Sequence, residues 1–137
     1  MVEKISWAFY GYCTLAGGEE VQEWFDGLLE EEQDEARDVL VYLRSQPVTL
    51  WSKPEYCPLG DGLSEIRFKV NSLNRVYRIY GFFWPKGERF SYTLLLGRDK
   101  KVGNPKHDIA EARKRKSRVE TGKASTHEFE FQKGVDC

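Results

Sequence analysis

The chain has little of what metal chemistry, disulfide stapling or a membrane span requires. It holds two His and three Cys in 137 residues. His107 and His127 fall in no metal-ligand spacing, so a metal enzyme is not expected. Cys13, Cys57 and Cys137 are odd in number and widely separated, with no Cys-x-x-Cys pair. That pattern argues against a disulfide framework, and it favours a plain reduced thiol at Cys57 over a nucleophile. There is no Gly-x-Gly-x-x-Gly and no Walker loop, hence no expected nucleotide cofactor. No Ser-His-Asp or Cys-His arrangement stands out. No apolar run approaches the ~20 residues that cross a bilayer, so no membrane partner is expected. Met1-Val2-Glu3-Lys4 opens into a mixed segment without a signal-peptide core, and the expected location is cytoplasmic. Internal repeats and low-complexity tracts are lacking too.

What is present is charge, and it is segregated. The net charge is −1. Residues 1–66 hold 4 Lys/Arg against 14 Asp/Glu, a balance of −10, and residues 67–137 hold 17 against 8, a balance of +9. A chain polarised in this way can offer a cationic patch to a polyanion despite its acidic first half. The plainer reading is two solvated faces. At 40% apolar and 31% charged, the composition is that of an ordinary globular domain with one core.

In Lys4 to Tyr12, Ile5, Trp7 and Phe9 alternate with Lys4, Ser6 and Ala8, which predicts a strand broken at Gly17-Gly18. From Glu19 the period changes. Val21, Trp24, Phe25, Leu28 and Leu29 form one helical stripe, with Glu19, Glu20 and Glu23 at its positive end. A second stripe, Ala36, Val39, Leu40 and Leu43, predicts a helix from about Glu32 to Ser45, closed by Pro47. Glu30, Glu31 and Glu32 follow one another directly, so they fan around the helix and do not converge on a catalytic site. Val48 to Gly62, with Pro54, Pro58, Gly60 and Gly62, reads as a loop whose Trp51 and Tyr56 pack onto the sheet.

Gly62 to Lys101 carries the strongest pattern. Ile66, Phe68 and Val70 alternate with Arg67 and Lys69. Arg75 to Phe83 is dense in aromatic and β-branched residues. Phe90, Tyr92, Leu94 and Leu96 fall on one face of a third strand. Turn residues at Asn71–Asn74 and Pro85–Gly87 separate the three. A three-stranded antiparallel meander is predicted, with one apolar and one cationic face. A polar loop holding Arg98, Lys100 and Lys101 follows. Asn104 as cap and Pro105 at the first position then start a helix over about Lys106 to Val119. Arg113, Lys114 and Arg115 lie in its basic run, which suits phosphate contact. Thr121 to Cys137 is polar, and two readings stay open: a loose tail, or a late strand carrying Phe129 and Phe131.

The expected fold class is therefore α+β: an N-terminal strand, two helices, the meander and a basic C-terminal helix over residues 1–119, with a polar tail over 120–137. Two helices would cover one sheet face and leave the other polar. Arg67, Lys69, Arg75 or Arg78, Arg98, Lys100 and Lys101 would line that face or its rim, at a spacing that lets several cations hold one phosphate.

Gly62-Leu63-Ser64-Glu65-Ile66-Arg67, Tyr77-Arg78-Ile79-Tyr80 and Leu94-Leu95-Leu96-Gly97, followed by Lys100-Lys101 and Pro105, resemble the RelE-type toxins of toxin–antitoxin systems, in their phage-derived, HigB-like branch. The resemblance runs over roughly Lys4 to Val119. It implies a metal-independent, ribosome-dependent endoribonuclease that cuts mRNA. In such enzymes the nucleotide's own 2′-hydroxyl attacks the adjacent phosphate, and Arg and Lys side chains stabilise the phosphorane. It implies Arg78 as the main phosphate ligand, with Arg67, Lys100 and Lys101 beside it and Tyr80 handling protons. Lys69, Arg75, Arg98, Arg113, Lys114 and Arg115 would contact RNA. His107 lies near where some members place an active-site side chain. Relatives usually carry His-Gly-Phe where this chain has Leu96-Gly97-Arg98. The partners implied are mRNA on the ribosome and a helix-turn-helix antitoxin. Two other readings are a non-catalytic member that binds RNA or a partner protein, and an interaction domain working through its acidic helices.

Overall fold

A computed structural model describes residues 5–85, 90–99 and 105–132. The chain runs β1 (Ala8–Thr14), α1 (Glu20–Asp26), α2 (Glu30–Arg44), a 3-10 turn (Val48–Leu50), β2 (Tyr56–Gly60), β3 (Leu63–Val70), a second 3-10 turn (Asn71–Leu73), β4 (Arg75–Phe82), β5 (Ser91–Asp99), α3 (Pro105–Glu120) and β6 (Ala124–Glu128). One six-stranded sheet has the order β2-β3-β4-β5-β1-β6. The α+β class and the antiparallel β3-β4-β5 meander are as the patterning predicts. β1 lies parallel to β5 and antiparallel to β6.

Directly opposite residues on neighbouring strands share a face. Ile66 pairs with Ile79 and Phe68 with Tyr77, and that face is the main core. α1 and α2 cover it. Val21, Phe25, Ala36, Leu40 and Leu43 are buried there, and the Trp7 ring packs at a tilt against Trp51, 4.7 Å between centroids. Trp51 and Tyr56 are buried in this aromatic cluster, as expected from their loop. The α1 stripe is shorter than its sequence suggests. The helix ends at Asp26, and Leu29 instead precedes α2, 57% exposed. Glu32 turns back and accepts the Leu29 N–H at 2.7 Å, a side-chain cap that explains its burial. Gln33 donates to the carbonyls of Phe25 and Asp26 and so closes α1.

Three expectations are corrected. Val48 to Gly62 is not only loop, because Tyr56–Gly60 is an edge strand paired with β3. Pro58 is tolerated there, since an edge strand has one side that needs no N–H partner. The second sheet face is not left polar. α3 packs across it, burying Ala112 and Val119. The third-strand stripe is broken as well. The register with β4 shifts between Tyr80 and Gly81, so Tyr80 faces Leu96 while Gly81 faces Leu94. Such a bulge inserts one extra residue, Leu95, and moves Leu96 to the α3 face. All three leucines are buried.

Of the two readings of the C-terminal segment, the strand is the one the fold uses. β6 pairs with β1 from Thr14↔Ala124 to Tyr10↔Glu128. Phe129 and Phe131 follow into the core, against Phe25 at 5.4 Å and Phe9 at 5.7 Å. The Gln22 amide extends this pairing: it donates to Glu130 O at 2.8 Å and accepts from Glu130 N at 2.9 Å. Residues 124–131, expected to lie in a tail outside the domain, thus pack as part of it. Among the described residues no helix is long and apolar enough to cross a membrane.

Candidate phosphate-binding site

Arg67 on β3 lies directly opposite Arg78 on β4, and Arg78 lies directly opposite Arg98 on β5. The meander therefore sets three arginines in one cross-strand row, on the face that α3 only partly covers. Directly opposed side chains on neighbouring strands start about 5 Å apart at Cβ. Like charges at that spacing destabilise a sheet unless anions intervene.

Two carboxylates do. Glu65 is 2% exposed, and its Oε1 accepts Arg67 Nε at 2.8 Å and pairs with Arg67 Nη2 at 2.5 Å. Its Oε2 lies 3.5 Å from Arg78 Nε. That Nε is buried and has no hydrogen-bond partner of good geometry. Asp108, in the first turn of α3, accepts Arg98 Nε at 3.1 Å. The arginine side chains keep 33%, 16% and 42% exposure in row order. Arg67 and Arg98 thus stay partly open to solvent while their Nε groups donate to carboxylates. Guanidinium forks arranged this way match the oxygens of a phosphate.

Tyr80 stands directly opposite Glu65 and is 1% exposed. Burial raises its phenol above the ordinary 10.0, while a hydrogen bond with Arg78 opposes that rise. The phenol is protonated at neutral pH and shielded from solvent. It is placed to position Arg78, not to take a proton from a substrate.

The other sequence candidates scatter. Arg75 faces the opposite side of the sheet, 3.8 Å from Asp99. Lys69 is exposed two residues beyond Arg67. Arg113 donates to the Leu59 and Gly60 carbonyls and fastens α3 over β2. Arg115 is 11% exposed, bonds Leu95 O and Glu20, and sits over the Tyr12 ring. Arg113 and Arg115 are thus engaged inside the molecule, and Lys114 between them stays exposed. His107 is exposed beside Asp108. Lys100 and Lys101 lie outside the described residues.

Sequence reasoning missed Glu65 and Asp108. The signal for Glu65 was available: it is two residues from Arg67 on an alternating strand, hence on the same face. Among the described residues no three His, Cys, Asp or Glu gather as a metal-binding group. A roomier groove, about 680 Å³, lies away from the arginine row, between β1 and the segment after β6, lined by Trp7, Phe9, Arg44, Phe129 and Phe131. It carries no such convergence of charge, and the row is the better site by its chemistry. Compared with family models, with curated proteins and with solved structures, the chain finds no match.

Proposed function

We propose that this protein is a RelE-like, ribosome-dependent mRNA endoribonuclease, the toxin of a toxin–antitoxin pair. The observation that carries the reading is the arginine row, Arg67, Arg78 and Arg98, set opposite one another across three strands. Cleavage by an internal 2′-hydroxyl needs alignment of that hydroxyl and stabilisation of the charge that grows on the phosphorane. A row of held guanidiniums supplies the second. The bound ribosome would supply the first. Arg78, central in the row, is the principal phosphate ligand, with Arg67 and Arg98 on either side. Lys69 would meet the flanking RNA backbone, and a helix-turn-helix antitoxin would silence the protein by covering the row.

One observation favours a second reading, an RNA-binding protein without catalysis. Leu96, where RelE-type toxins usually carry an imidazole, is 3% exposed and directly opposite the buried Tyr80. No proton-handling side chain reaches the row from that position.

Primer extension on an mRNA in a reconstituted translation reaction separates the two. With ribosomes present, cuts phased to codons are expected from the protein and none from Arg78→Ala. Intact message together with steeply salt-dependent RNA binding would replace the nuclease by the binding reading. No binding even at low salt would remove both.

A further inference from the structure

The row contains more than cations, and the count of its charges says what it accepts. Arg67, Arg78 and Arg98 supply three positive charges, and the carboxylates of Glu65 and Asp108 supply two negative ones in direct ion pairs with them. Among the described residues of the row the formal sum is 3 − 2 = +1. Arg75 does not add to it, because it lies on the other sheet face with Asp99. Lys69 is exposed to solvent, where its field is screened.

Attraction between a site and an anion grows with the product of their charges, but the cost of taking the anion out of water grows with the square of its own charge. A site of one net positive charge is therefore matched by a monoanion. We infer that Glu65 and Asp108 tune the arginine row to a phosphodiester linkage inside a nucleic-acid chain, against the dianionic phosphomonoester of a chain end or a free nucleotide. The inference rests on reading the row as a phosphate site. It adds two positioning residues to it and a reason for burying carboxylates beneath phosphate ligands.

The geometry supports a division of labour. Glu65 is 2% exposed and lies beneath the row, so it lowers the site's charge without offering its oxygens to the ligand. Asp108 performs the same task at the β5 end, from the first turn of α3. A phosphodiester presents two anionic oxygens. Arg67 and Arg98, whose side chains keep 33% and 42% exposure, flank Arg78 and are the guanidiniums best placed to meet them.

The test uses two ligands that differ by one charge: 2′-deoxyuridine 3′-phosphate, a dianion above its second pKa of about 6, and its methyl diester, a monoanion. Displacement of a labelled RNA is followed at pH 7.5 and fixed ionic strength for the full-length protein, Glu65→Gln and Asp108→Asn. The protein is expected to bind the diester at least as tightly as the dianion. Each variant raises the site to +2 and shifts the preference toward the dianion by about tenfold, the scale of one added unit charge near a protein surface. A purely structural role for the carboxylates would weaken both ligands together and leave their ratio unchanged. Asp108→Asn, at the more exposed pair, serves where Glu65→Gln fails to fold. A preference for the dianion in the unaltered protein, or an unchanged ratio in a folded variant, overturns the inference while the row remains a phosphate site. Displacement by neither ligand, in a protein that still binds the labelled RNA, overturns the phosphate-site reading itself.

Discussion

Trp24 lies flat against Gly97, and no side chain fits between them. A methyl group added at Gly97 would overlap the indole ring, the closest approach made by any glycine position in the described fold. This contact seats α1 on β5 one residue before Arg98, so it joins the core to the end of the arginine row. Gly97→Ala is expected to destabilise the protein by about 1–3 kcal/mol, the usual cost of overpacking. The urea midpoint measures this. The same substitution in a Trp24→Leu background should cost less than half as much, and an equal cost in both backgrounds would refute the contact. At this scale much of the site was legible. Arg67 and Arg78 stand in strands whose alternation and short turn predict their pairing, whereas Arg98, expected in the polar loop after the meander, belongs to β5 because that strand runs on to Asp99. Glu65 was harder to read, because a carboxylate in an alternating strand looks like one more solvated charge. Its burial comes from tertiary packing, which no local pattern reports.

Two elements, β2 and β6, were obscure for opposite reasons. β2 carries Pro58 and Gly60, which read as loop, yet as an edge strand it needs only one row of hydrogen bonds. β6, Ala124–Glu128, is polar because β1 alone flanks it, and its apolar contribution comes afterwards, from Phe129 and Phe131. The central meander was readable because its strands must satisfy two neighbours and a core at once, which forces alternation. The bulge at Leu95 escaped notice since three successive leucines fit either register. The docked C-terminal segment leads to a direct expectation. Phe129, 3% exposed against Phe25, should cost about 3–5 kcal/mol when replaced by Ala. Chemical denaturation of Phe129→Ala decides it: a midpoint like that of the unaltered protein would mean that the segment adds nothing to the fold.

Over the whole molecule, the aromatic content adds up to an alkaline limit. Tyr56, Tyr80 and Tyr92 all have phenols held above the ordinary 10.0, in each case chiefly by burial. In the unfolded chain those phenols release their protons near 10.0. The folded protein keeps them, so the unfolded state binds fewer protons at high pH and stability falls as pH rises. The contribution of the three is fully present below the unfolded value and is lost progressively above it. Phenolate absorbance should therefore show Tyr56, Tyr80 and Tyr92 ionising above the ordinary range, with the urea midpoint dropping above about pH 10. Smooth ionisation of every tyrosine in a still-folded protein would contradict the packing of this core. Charge at this scale is equally divided in kind, with acidic helices over one sheet face and the arginine row on the other.

The place of β1 has one more implication. Tyr10 pairs with Thr93 on one side and with Glu128 on the other. β1 thus waits for β6, a strand synthesised much later. A growing chain that has emerged only through β5 would show one open edge of β1, with Phe25 lacking Phe129 and Phe9 lacking Phe131. Contacts this distant in sequence close slowly. A cell making this protein would hold an unfinished sheet until β6 arrives, and stops before β6 would yield fragments for proteolysis in place of partly active protein.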